Sequence, residues 1–98
     1  MNKLEKLYEV IKAQRPNLSK REFSEDYLEM SSGYMTAMSY YGRDISLKAL
    51  ANLTKTSRSE VDAWQAIHAS STTQRNKQNL ERVQQLHAMA TDTLLEAI

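Results

Sequence analysis

Apolar positions recur at helical spacing along most of the chain. Leu4, Leu7, Tyr8 and Ile11 fall at i, i+3, i+4 and i+7 with Lys3, Glu5, Glu9 and Lys12 between them, which predicts an amphipathic helix from about Lys3 to Gln14. Arg15-Pro16-Asn17 stops it, because the residue before a proline is pushed out of the helical region. Ser19-Lys20-Arg21-Glu22 is a capping box: the Ser19 hydroxyl can accept from the Glu22 amide while the Glu22 carboxylate reaches back. The helix it starts puts Phe23, Tyr27 and Met30 on one face and Arg21, Glu25 and Glu29 away from it. Ser31-Ser32 offers the next N-cap, for a helix with Tyr34, Met38 and Tyr41 inward and Ser32, Thr36, Ser39, Tyr40 and Arg43 outward. Gly42 can take the left-handed conformation that ends a helix, and Asp44 to Ser46 leads into a segment whose face is Leu47, Leu50 and Leu53.

The second half continues the pattern. Ser57 to Glu60 repeats the Ser-x-x-Glu capping signal and predicts a fresh helix with Val61, Trp64, Ile67 and His68 on one face. Trp64 is the only tryptophan and is expected to anchor that helix, since an indole buries more apolar area than any other side chain here. Ala69 to Asn76 is small and polar and predicts a break. From about Gln74 a long helix carries Leu80, Val83, His87, Ala90, Leu94 and Ala97 alternately three and four apart, with Leu86, Met89 and Leu95 widening the apolar side. So broad a face needs partners on more than one side, supplied by its own domain or by a second copy. Leu80, Val83, His87 and Leu94 are accordingly expected at a homodimer interface, with packing of this helix back on its own core as the alternative.

Phe23-Ser24-Glu25-Asp26-Tyr27, Ser31-Ser32-Gly33-Tyr34, Gly42 and Ser46-Leu47-Lys48-Ala49-Leu50 together resemble the helix-turn-helix core of the lambda-repressor and Cro superfamily. The resemblance runs from Asn17 to about Ser57, with Leu28-Glu29 standing where that superfamily usually has a glycine in the turn. It implies a lambda-repressor-like fold and sequence-specific binding of double-stranded DNA. Small stand-alone proteins of the superfamily are often encoded by phages and plasmids.

Composition and charge refine this picture. The 98 residues amount to one domain's worth of chain, and 2 Gly and 1 Pro with 41% hydrophobic residues favour helices. There is no cysteine, which removes disulfides, thiolate metal sites and thiol nucleophiles and fits a reducing compartment. Met1 to Gln14 mixes charges with its apolar residues and is not expected to be a signal peptide, and no apolar run approaches the roughly 20 residues of a membrane span. A cytoplasmic location without membrane contact is the expectation. Net charge is only +1, but its distribution is uneven: from Lys12 to Arg58 there are eight basic and five acidic residues, and from Ser59 onward three basic and five acidic.

Candidate chemistry is sparse. His68 and His87 fall on different predicted helices, no His-x-x-x-His pair or Gly-rich phosphate loop occurs, and neighbouring carboxylates such as Glu25-Asp26 diverge around a helix. No catalytic residue, metal site, cofactor or small-molecule ligand is evident. The expectation is therefore an all-α domain of five or six helices, with a helix-turn-helix DNA-binding part over residues 1–72 and a C-terminal helix over 73–98 that packs on it or dimerises. The residues expected to meet DNA are Lys20, Arg21, Ser31, Ser32, Thr36, Ser39, Tyr40, Arg43 and Lys48. The expected function is a small transcriptional regulator, a repressor, binding duplex DNA as a dimer. The alternative is a helical protein-interaction module, an inhibitor or adaptor that does not touch DNA.

Overall fold

The computed structural model describes residues 2–98 and is all-helical, with five helices among the described residues. They are α1 (Lys3–Gln14), α2 (Lys20–Glu22, continued by a π-helical turn Phe23–Tyr27), α3 (Tyr34–Tyr40), α4 (Leu47–Ser70) and α5 (Gln74–Ala97). Asn2 caps α1 by accepting from the Glu5 amide at 2.9 Å. The capping box at α2 forms as its sequence demands: Glu22 N–H donates to Ser19 Oγ at 3.0 Å, and Ser19 N–H to Glu22 Oε1 at 3.2 Å. Those bonds, backbone first, hold the Glu22 carboxyl below its ordinary pKa.

α4 and α5 form a long antiparallel hairpin, and α1 lies against α5. The core between them and α2 is built from Leu4, Leu7, Tyr8, Ile11, Leu18, Phe23, Tyr27, Leu28, Leu50, Leu53, Val83, Leu86 and Ala90, all buried. Phe23 sits at its centre, edge-on to Tyr8 at 5.3 Å between ring centroids and stacked on Tyr27 at 5.5 Å. The Tyr8 hydroxyl donates to the Leu18 carbonyl at 2.6 Å and so fixes the chain that turns from α1 into α2.

Several expectations need correction. No helix begins at Ser57: α4 runs unbroken through it, because nothing from Leu47 to Ser70 breaks a helix and the Ser57 side chain is buried rather than capping. Its hydroxyl lies 3.1 Å from the Thr54 carbonyl and 2.9 Å from His87 Nδ1 on α5. α3 starts later than Ser32, with Gly33 in the N-cap position and no side-chain cap. Tyr41 is 67% exposed rather than inward, since the helix ends at Tyr40 and the chain leaves through Gly42 at φ 63°; Met35 takes the inward place beside Tyr34. Leu47 and Ile67 are likewise exposed, while Ala49 and Leu50 carry the buried face at the start of α4. Val83, expected to face a second copy, is fully buried inside the chain with Leu86 and Ala90, so the alternative of α5 packing on its own core is the arrangement found.

Asp44, in the loop between α3 and α4, reaches across to the start of α1, where Oδ2 accepts from Lys3 N at 3.1 Å and Oδ1 from Leu4 N at 2.9 Å; Oδ1 also takes the Ile45 amide at 2.8 Å. Burial pushes this carboxyl up, but the Leu4, Ile45 and Lys3 amides and the Lys3 charge outweigh it and hold it below its ordinary value. A depressed carboxyl contributes stability that is present above the unfolded value, near pH 4, and lost as pH falls through the lower folded value. Asp44→Ala is expected to lower stability by about 0.5–2 kcal/mol at neutral pH, the range for a solvent-exposed carboxylate that caps the first amides of a helix. Denaturant midpoints of mutant and wild type should converge as the buffer is taken well below pH 4. A constant difference down to pH 2 would contradict this role.

Candidate nucleic-acid interface

α2 and α3 are joined by a turn whose geometry depends on one residue. The π-helical turn closes with Leu28 N–H donating to the Phe23 carbonyl at 3.2 Å, which fits an extra residue into the last turn of α2. Glu29 then adopts φ 51°, the left-handed conformation, and Met30 N–H returns to the Ser24 carbonyl at 2.9 Å. Glutamate thus performs the backbone reversal for which a glycine would be the easier residue. Two contacts from α4 support it: Asn52 Nδ2 donates to the Leu28 carbonyl at 2.9 Å, and Lys55 Nζ lies 3.3 Å from Glu29 Oε2.

Ser24 and Tyr34 set how α3 sits. Ser24 is fully buried; its hydroxyl donates to the Lys20 carbonyl at 2.8 Å and accepts from Met35 N–H at 3.4 Å, so a side chain of α2 meets the first turn of α3. Tyr34 binds α3 to α4: its phenol accepts from Ser46 N at 2.9 Å and donates to Ser46 Oγ at 3.0 Å, and the same Oγ caps α4 by accepting from Ala49 N at 3.2 Å. Tyr34, Met35 and Met38 face the body, Ala37 is half-buried, and Thr36, Ser39 and Tyr40 are left in solvent.

All nine residues expected to meet DNA are exposed. Ser31, Ser32, Thr36, Ser39, Tyr40 and Arg43 lie on α3 and its flanks, Lys48 on the first turn of α4, and Lys20 and Arg21 on the first turn of α2. Arg21 pairs with Glu25 at 3.4 Å along its own helix. Lys20, Arg43 and Lys48 form no ion pair among the described residues, so their charges remain available. Tyr41 belongs to the same surface and was missed. Its ring meets Tyr40 edge to face at 5.0 Å, and the Arg43 guanidinium lies 5.9 Å from its centroid. The 34/38/41 spacing disguised Tyr41 as a core residue; the glycine next to it was the signal that the helix would end first.

Of the four residues expected at a dimer interface, Val83 is spent on the core, and Leu80 and Leu94 are half-buried against that core. His87, also half-buried, bonds Ser57. Among the described residues, no group of His, Asp or Glu could hold a metal ion and no helix is long and apolar enough to cross a membrane. No curated protein and no solved structure matches the chain. The signature of DUF6626, a family of unknown function, matches residues 4–97, and the chain belongs to that family.

Proposed function

We propose that α2, its turn and α3 act as a helix-turn-helix that binds duplex DNA, and that the protein is a small cytoplasmic transcriptional regulator, a repressor. The observation that carries this reading is the Glu29 reversal: two short helices are locked at a fixed angle by Ser24, Asn52 and Tyr34, and the second helix keeps a polar outer face. A helix presented in this way suits the major groove. Short hydroxyls at Ser32, Thr36 and Ser39 can meet base edges or phosphates, the Thr36 methyl can touch thymine, and Arg43 can engage guanine or phosphate. Lys20 and Lys48 stand at helix starts on either side, where backbone phosphates would pass. Binding as a homodimer, with recognition helices on half-sites about 34 Å apart, belongs to the same proposal. The second copy must then use surface outside the Val83–Leu86–Ala90 seam.

Selection from a random duplex pool at low salt, followed by titration at rising salt, tests the reading. Thr36→Ala and Ser39→Ala are expected to change the relative affinities of operator variants, each lost base contact being worth about 1–3 kcal/mol. Lys20→Ala and Lys48→Ala should weaken all sequences alike and flatten the salt dependence. The exposed apolar group Tyr40, Tyr41 and Leu47 favours a second reading, a helical module that docks another protein. Folded protein that retains no duplex at low salt decides for that second reading.

A further inference from the structure

Away from α3, the end of α1, the second half of α4 and the first two turns of α5 border an open cleft of about 420 Å³ lined by Gln14, Arg15, Glu60, Trp64, Arg75 and Asn79. We propose that this cleft binds a small aromatic monocarboxylate. Two guanidinium groups and one carboxylate line it, which leaves one unbalanced positive charge for one anion. The side chains of Arg75 and Asn79 make no hydrogen bond or ion pair within the protein among the described residues, so both can receive a carboxylate. Trp64, half-buried between its own helix and the core, supplies the aromatic wall against which a planar ring stacks.

Arg15 ties this site to the unit proposed to read DNA. Its Nη1 donates to the Tyr27 hydroxyl at 3.2 Å, and its guanidinium lies 5.9 Å from the centre of that ring. Tyr27 is buried in the π-helical turn of α2, with its phenol pushed to a higher pKa first by burial and next by the neighbouring Glu60, and pulled the other way by Arg15. A carboxylate bound at the free edge of Arg15 shares that guanidinium with Tyr27 and so bears on α2. This coupling rests on the DNA-binding reading; occupancy of the cleft does not.

Since Trp64 is the only tryptophan, its fluorescence reports the cleft directly. Titration of the full chain with 4-hydroxybenzoate is expected to quench it with sub-millimolar affinity and to evolve heat in calorimetry. Benzoate should bind about equally well, cyclohexanecarboxylate more weakly, and the uncharged benzamide not at all. Arg75→Gln, on an exposed side chain that holds nothing in the fold, should weaken binding at least about tenfold at unchanged melting temperature. Absence of quenching and heat at millimolar 4-hydroxybenzoate overturns the proposal, as does unaltered binding by Arg75→Gln. Inorganic phosphate binding as well as the aromatic acid also overturns it, by reducing the cleft to a cationic patch. The DNA arm is separate: saturating 4-hydroxybenzoate should shift affinity for a selected duplex, and binding without such a shift removes the coupling alone.

Discussion

Val83→Asp is expected to unfold the protein. Val83 is fully buried at the point where α5 meets the body, in one seam with Leu86 and Ala90. A carboxylate placed at this fully buried position must either be desolvated, at a cost of several kcal/mol, or open the α4–α5 hairpin. Small domains hold about 5–15 kcal/mol of stability in all, so a penalty of this size removes much or all of it. Val83→Ala provides the scale: it deletes two methyl groups and should cost about 2 kcal/mol while leaving a cooperative transition. Far-UV circular dichroism and sedimentation on both variants check this. A Val83→Asp protein that stays helical and sediments as a monomer would place Val83 on an exposed or intermolecular surface and contradict the packing described above.

Phe23→Ala should produce the second-largest loss, about 3–5 kcal/mol, equivalent to a fall in melting temperature of roughly 15–30 °C for a domain of this size. The ring is wholly buried and contacts Tyr8 of α1 and Tyr27 of its own helix, so its removal leaves a cavity bounded by two aromatic faces that cannot collapse onto each other. The effect should extend beyond stability. Phe23 supplies the carbonyl that closes the π-helical turn, and a loosened α2 no longer fixes where Ser24 meets α3. Hydrogen exchange at Leu28 and Met35 is therefore expected to accelerate more than global destabilisation requires. Phe23→Leu, which keeps most of the volume, should lose about half as much or less. Equal stability of Phe23→Ala and the wild type would contradict the central place given to this ring.

Much of the architecture was legible along the chain because its signals are local. The inward stripe of α1, the capping box at Ser19, the stop at Pro16 and the start of α5 at Gln74 each depend on residues within a turn or two of one another. The exposure of Arg21 on α2 and of Thr36, Ser39 and Tyr40 on α3 also followed from periodicity. What failed had a common cause. The capping signal at Ser57 was read as a start because the hydroxyl of a serine suits an N-cap, yet in this fold it serves His87, thirty residues away on α5. Tyr41 and Leu47 were placed inward by spacing, and nothing lies opposite them once the chain has turned at Gly42.

Local sequence by itself thus determined the helices, most of their ends and which faces are apolar, since hydrogen bonding and side-chain periodicity act over a few residues. Only the tertiary structure decided where those faces go. Val83 could meet a second copy or α4 with equal periodicity, and the choice is made by burial against partners far away in the chain. The left-handed turn at Glu29 is braced from α4, by Asn52 at the Leu28 carbonyl and by Lys55 at the Glu29 carboxylate. The Arg15, Trp64 and Arg75 cleft exists only because three helices bring together residues with no spacing in common. Such groupings leave no periodic trace, because the distances that matter in them are measured through space and not along the backbone.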